Sequence, residues 1–130
     1  MAIVEEHWLA EWGWLTRSQK AVIAGVDWLV KEGRMVDASF ERLNVVTLNV
    51  GDPGRCALTQ ATGEREFWNA VAQLRDLDPN APHGYDHDWL IQHGFWSYPY
   101  VRYETLTDWW REAIEAERGE WLDDEELVLT

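Results

Sequence analysis

The segment from residue 83 to residue 93 contains the side chains best suited to chemistry, because three histidines and two aspartates lie close together there. His83 and His87 are four positions apart, and imidazole and carboxylate groups are common ligands of zinc and other divalent cations. An aspartate beside such an ion could act as a general base. Pro82 and Gly84 indicate, however, that His83 lies outside a helix, and no H-E-x-x-H pattern is present. The candidate ligands are His83, Asp86, His87 and His93.

The same segment also has the pattern of a short capped helix. Asp86 or Asp88 could accept a hydrogen bond from the backbone at the start of such a helix. Gly94 could end it after His93, because glycine readily adopts the left-handed conformation found there. This interpretation gives the aspartates a structural role and requires no metal.

Cys56 is the single cysteine, so the chain cannot form an internal disulfide. Arg55 beside it could lower the pKa of the thiol, and a helix beginning there would add to the effect. A nucleophilic cysteine also needs a base and a group that orients the base, and the neighbouring sequence supplies neither. We therefore expect Cys56 to be a buried, unreactive residue.

The charge and the aromatic residues favour an interaction protein. The chain carries 24 acidic and 11 basic residues, a net charge of −13, and has ten tryptophans. The excess of acids disfavours direct binding to nucleic acid and to anionic membranes. Eight acids and one base lie between Glu112 and Glu126, and an aromatic stretch runs from Phe95 to Tyr103. The candidate protein-binding residues are Trp96, Tyr98, Tyr100, Glu115, Glu117, Glu120, Asp123 and Asp124.

Cysteine usage and hydropathy favour a cytoplasmic protein. One cysteine is typical of a reducing compartment. The first residues are acidic where a signal peptide is basic, and no apolar run reaches the ~20 residues of a membrane span. We expect no cofactor and no membrane association. The sequence leaves the oligomeric state open.

Hydrophobic spacing predicts a mainly α-helical single domain with four to five helices, a Trp-rich core and one or two short strands. The domain is expected to cover residues 1–118, and residues 119–130 would form an acidic C-terminal tail. A first helix is predicted over residues 4–15. A second is predicted from Arg17 to about Gly33, because Thr16 and Gln19 form a capping box.

The rest of the chain predicts one strand and three further helices. Residues 43–50 alternate and are rich in β-branched side chains, which is typical of a strand. Thr62 is expected to cap a helix over residues 63–77. The short helix through His93 follows, and Thr105 with Asp108 forms a second capping box that predicts the last helix.

Four pieces in this order resemble a family of small uncharacterised proteins of actinobacteria and their bacteriophages: LNVVTLNVGDPGRCALTQATG, FWNAVAQL, HGY or HGF, and YETLTDWWREAI. The similarity spans about residues 20–116, and Thr59 stands where the family often has glycine. The resemblance implies a phage or prophage origin, assigns no activity and transfers no catalytic residue. It implies that five residues have a structural role common to the members of that family. These are Cys56, Gln60, Gly63, Tyr103 and Trp110.

We therefore expect a non-enzymatic acidic interaction protein, encoded by a phage or prophage, that binds a host protein. A narrower version of this hypothesis has the carboxylates mimic the phosphates of nucleic acid. The alternative from another class is the small metal-dependent enzyme built on the histidine segment. A subunit of a larger assembly is a third reading.

Overall fold

A computed structural model describes residues 3–97 and 101–119 and confirms the mainly helical class with its Trp-rich core. The described chain contains six α-helices and two short 3-10 helices, Gly33–Val36 and Phe40–Arg42. The described residues hold one helix more than the upper number predicted, because residues 57–77 contain two helices where one was expected. The α-helices are α1 (Ile3–Trp12), α2 (Arg17–Lys31), α3 (Ala57–Thr62), α4 (Phe67–Leu77), α5 (His87–Gln92) and α6 (Tyr103–Glu117).

Helix α2 is the central helix, and it contacts both α5 and α6. It begins at the predicted capping box, where the Thr16 hydroxyl accepts from the Gln19 N–H and the Gln19 side chain accepts from the Thr16 N–H. Gly25 allows the closest approach, since a Cβ there would lie 2.1 Å from the His93 carbonyl oxygen and 2.8 Å from the Trp110 ring. Only a glycine fits this crossing without movement of its neighbours.

Four buried tryptophans form much of the core. Trp8, Trp28, Trp89 and Trp110 are all less than 8% exposed. Trp28 and Trp89 meet edge to face with ring centroids 5.0 Å apart, a favourable geometry for two aromatic quadrupoles. The Trp110 Nε1 donates to the Gly94 carbonyl oxygen at 2.7 Å, so this buried ring also satisfies a polar group. The predicted aromatic core is therefore confirmed.

The predicted strand at residues 43–50 is wrong, and no strand occurs in the described ranges. Side chains of α3 and α6 bind the backbone of this segment in place of a partner strand. The Gln60 side-chain oxygen accepts from the Asn44 N–H, and the Arg111 guanidinium donates to the Val45 and Leu48 carbonyl oxygens. Because these bonds already satisfy the backbone, the segment follows an irregular path.

Two predicted helix starts are also wrong. The helix expected from Gly63 begins at Phe67, because Cys56 starts the separate helix α3 and Gly63, with φ +75°, ends it. The Thr62 hydroxyl donates back to the Leu58 carbonyl oxygen instead of capping a new helix.

Helix α6 begins at Tyr103, two residues before the predicted cap. The predicted capping box of Thr105 is not what starts it, since the N-terminal flanking residue is Arg102, whose side chain makes no capping bond. The start is held by a tertiary contact in which the Thr107 hydroxyl accepts from the Val50 N–H and donates to the Tyr103 carbonyl oxygen. None of the helices in the described ranges is both long enough and apolar enough to cross a bilayer.

Candidate functional site: an aromatic pocket beside Trp96

Two of the three histidines in the segment 83–93 pack on one tryptophan, and the third packs on another. The rings of His83 and His93 both stack on Trp89, with centroids 5.1 and 4.1 Å away. The His87 ring instead lies 4.5 Å from the Trp96 ring. Within residues 3–97 and 101–119, no three His, Cys, Asp or Glu side chains are grouped so that they could hold a metal ion. The geometry of the four predicted ligands does not favour the metal-enzyme alternative.

The polar side chains of this segment have structural partners. Asp86 caps α5 by accepting from the Trp89 N–H at 2.9 Å, as one of the two capping alternatives predicted. The His83 Nδ1 accepts from the Tyr85 N–H, and the His93 Nδ1 lies 2.8 Å from the Trp89 carbonyl oxygen. Gly94, with φ +73°, follows the end of the helix as predicted.

His93 should make the stability of the fold depend on pH. Burial lowers the pKa of His93 below its ordinary value of 6.5. As the pH falls through 6.5, His93 is protonated in the unfolded chain while it stays neutral in the folded chain. The free energy of unfolding is therefore higher above this pH and decreases below it. The ring is only partly buried, so solvent screening limits the size of this loss.

Urea unfolding at about pH 7 and about pH 5.5 measures this loss. The loss should shrink in His93→Gln, whose amide can still donate to the Trp89 carbonyl oxygen. The exposed His87 provides the control, and His87→Gln should keep the pH dependence of the original chain. An unchanged pH dependence in His93→Gln would contradict the assignment.

Cys56 is buried and has a structural role at the start of α3. Its sulfur accepts from the Thr59 N–H and lies 2.9 Å from the Thr59 hydroxyl oxygen. Burial raises the pKa of the Cys56 thiol despite these hydrogen bonds. The predicted unreactive cysteine is consistent with this environment, since the thiolate is the nucleophilic form.

One concave feature of the described residues is lined mainly by aromatic side chains and has a volume of about 240 Å³, and we call it the aromatic pocket. Its aromatic lining comes from three parts of the chain: the start of α4, the segment after α5 and the first residue of α6. Trp68 is 44% exposed, Tyr103 is 38% exposed, and Trp96 is half-buried. The five aromatic lining residues are Phe67, Trp68, Phe95, Trp96 and Tyr103.

The other side of the aromatic pocket is a hydrogen-bonded loop, residues 49–55. The Asp52 carboxylate accepts from the Gly54 N–H and from the Arg55 side chain, and these two bonds lower the pKa of Asp52. Gly51 lies so close to α6 that a Cβ there would be 3.0 Å from the Tyr103 Cβ. The Pro53 carbonyl oxygen accepts from the Thr59 hydroxyl at 2.8 Å. This wall of the pocket is therefore fixed before any ligand arrives.

Of the predicted protein-binding residues, Trp96 lines the aromatic pocket. Glu115 and Glu117 are half-buried on the last turns of α6, away from the lining. Five predicted residues lie outside the described ranges. They are Tyr98, Tyr100, Glu120, Asp123 and Asp124.

Sequence reasoning missed the partners of Trp96. Trp68 was not among the predicted binding residues, and neither was Glu66, which also lines the aromatic pocket. Trp68 directly follows Phe67 at the first turn of α4, and this pair of neighbouring aromatics was the one available signal.

Comparison of the chain with protein-family models, with curated proteins and with solved structures finds no match in any of the three. The resemblance to actinobacterial and phage proteins therefore stays a prediction.

Proposed function

We propose that this protein is a non-enzymatic acidic interaction protein, encoded by a phage or prophage, that binds a host protein in the bacterial cytoplasm. The aromatic pocket would be its contact surface. The observation that carries the proposal is the grouping of partly exposed aromatic side chains around one concave site, where Trp68, Trp96 and Tyr103 meet. Tryptophan and tyrosine are among the side chains most enriched at the energetic centres of protein interfaces.

The fixed geometry of the aromatic pocket supports this role. Trp96 is held by ring contacts with Phe67, Trp68 and His87 at centroid distances of 5.6, 5.5 and 4.5 Å. Rings already held in place lose little conformational freedom when a partner binds, so less binding free energy is spent on ordering them. The pocket is also smaller than the ~300–1,000 Å³ of typical small-molecule sites, which favours a side chain of a partner over a free ligand.

The net charge supports a basic partner. At −13, the chain would attract a positively charged surface and raise the rate of encounter, and this attraction would weaken as salt is added. Eight of the 24 acids lie between Glu112 and Glu126, whereas Glu66 is the one acidic side chain among the described residues that line the pocket. We therefore assign the rate of association to the charge and the specificity to the pocket.

Affinity capture from an actinobacterial lysate, with mass spectrometry of the eluate, tests the proposal. The double variant Trp68→Ala and Trp96→Ala removes two pocket walls. Its matched control is Trp12→Ala with Trp14→Ala, because these two tryptophans are 53% and 62% exposed and do not line the aromatic pocket. We expect one host protein to be captured by the original chain and by the control, and to be lost from the pocket variant.

Circular dichroism should first establish that both double variants are folded. The single variant Trp68→Ala covers the case in which Trp96→Ala weakens the fold, since Trp68 is the more exposed ring. A host protein that binds the pocket variant as well as the original chain would overturn the proposal. So would a host protein lost only from the control.

A further inference from the structure

We infer that the aromatic pocket accepts an arginine side chain of the partner, with the Glu66 carboxylate as its counter-charge. This inference rests on the proposed function, because it names the chemistry that the partner presents. It goes beyond that function in assigning a role to Glu66 and in predicting which residue of the partner enters the pocket.

The aromatic walls suit a cation. The rings of Phe67, Trp68 and Trp96 contact one another edge to face, at interplanar angles of 73°, 84° and 67°. These contacts fix the orientation of the rings that line the pocket. The face of an aromatic ring is its negative region, and tryptophan attracts cations most strongly.

Glu66 supplies a carboxylate that the fold does not use. Glu66 precedes α4, yet its side chain makes no capping hydrogen bond. No ion pair joins it to another side chain of the described residues, in contrast to Asp52, whose carboxylate is bound to Arg55. A carboxylate beside aromatic rings provides both the charge and the two oxygens that a guanidinium group can bind.

The partial positive charges at the helix starts around the aromatic pocket would disfavour a bound cation. α4 and α6 both begin at the pocket, and the start of a helix carries a partial positive charge that favours anions. Glu66 and Glu104 lie in or beside these first turns, so each partial charge is offset by a full negative charge nearby. The basic residues Arg65 and Arg102 directly precede the lining residues Glu66 and Tyr103, but neither arginine lines the pocket itself.

The shape and the size of the aromatic pocket favour arginine over lysine. The guanidinium group is planar, stacks on aromatic rings and is more weakly hydrated than an ammonium group, so it enters an apolar site at lower cost. A volume of about 240 Å³ suits one such side chain. Lysine would have to lose a tightly bound hydration shell to make the same contacts.

The inference is tested with small probes in isothermal titration calorimetry. The probes are the Nα-acetylated amides of arginine, of lysine, of glutamate and of citrulline, the last being the neutral isostere of arginine. We expect the arginine probe to bind about tenfold more tightly than the citrulline probe, a ratio in the range of cation–aromatic attraction. The lysine probe should bind more weakly than the arginine probe, and the glutamate probe should bind most weakly.

The variant Glu66→Gln identifies the counter-charge. It should weaken the arginine probe several-fold and leave the citrulline probe unchanged, because it removes a charge and keeps the size of the side chain. Its matched control is Glu64→Gln, two residues earlier and outside the pocket lining, which should have little effect on either probe.

Each of the other outcomes overturns the inference. Equal binding of the arginine and citrulline probes, tighter binding of lysine or glutamate, or equal effects of the two variants would each do so. If no probe binds while capture of a host protein still depends on Trp68 and Trp96, this inference fails and the proposed function stands. If the arginine probe binds through Glu66 while no captured protein depends on the pocket, the proposed function fails and the arginine site stands.

Discussion

Replacing Gly25 with alanine should lower the free energy of unfolding by about 1–3 kcal/mol, the usual cost of overpacking a core. The added Cβ would lie 2.1 Å from the His93 carbonyl oxygen and 2.8 Å from Trp110, a ring that is fully buried. The nearer obstacle is backbone at the end of α5, so relief requires α2 and α5 to move apart. Helix propensity acts in the opposite direction, since alanine is about 1 kcal/mol more favourable than glycine inside a helix.

Urea unfolding of Gly25→Ala against Ala24→Gly separates these two effects. The two positions are adjacent in α2, and Ala24 is only partly buried. If propensity alone decided, Gly25→Ala would be stabilised and Ala24→Gly would lose about 1 kcal/mol. We expect Gly25→Ala to be the less stable variant. A gain of stability on Gly25→Ala would contradict the packing described for α2, α5 and α6.

Replacing Trp110 with alanine should destabilise the fold by about 3–5 kcal/mol, the range measured when a large buried aromatic is truncated. Trp110 is fully buried, its ring stacks on Phe95 with centroids 5.5 Å apart, and its Nε1 donates to the Gly94 carbonyl oxygen. Truncation therefore removes packing and leaves the Gly94 carbonyl without this donor.

The variant Trp110→Phe separates the hydrogen bond from most of the packing. It keeps an aromatic ring but loses the N–H, so we expect a smaller loss, of which about 1–3 kcal/mol reflects the unsatisfied carbonyl. Trp12→Ala serves as the control, because Trp12 is 53% exposed and its removal should change stability by about 0.5 kcal/mol or less. Equal effects of Trp110→Ala and Trp12→Ala in urea unfolding would contradict the assignment of Trp110 to the core.

Local signals in the sequence predicted the helices that are defined by local hydrogen bonds. The Thr16 capping box starts α2, and Asp86 caps α5, because in each case donor and acceptor are three residues apart. Spacing alone also predicts an apolar stripe on α2 made of Val22, Val26, Leu29 and Val30. The first three are buried, whereas Val30 is 45% exposed.

The features that the sequence did not predict depend on residues far apart in the chain. Residues 43–50 have the composition of a strand, but Arg111 binds their carbonyl groups from 63 to 66 positions away. The start of α6 depends on a bond between Val50 and Thr107, which are 57 residues apart. Neither long-range partner is visible in a local pattern, so propensity pointed to the wrong structure in both places.

The candidate site illustrates the same limit. Trp96 could be singled out from its aromatic neighbours, but its partners Trp68 and Glu66 come from a helix start nearly thirty residues earlier. The prediction for the histidines failed for the opposite reason: the three residues are close in sequence, which suggested that they form one cluster. The turn before α5 and the helix itself place His83 and His93 against Trp89 and place His87 against Trp96.

The most direct test of the account is a proton–nitrogen correlation spectrum of the tryptophan indole groups, recorded with and without the captured host protein. Single Trp→Phe variants would assign the signals. We expect the indole signals of Trp68 and Trp96 to shift or broaden when the partner is added. The signals of Trp12 and Trp14, which are exposed and line a different pocket, should stay in place. Shifts confined to Trp12 and Trp14, with Trp68 and Trp96 unchanged, would contradict the claim that the aromatic pocket is the surface that binds the partner.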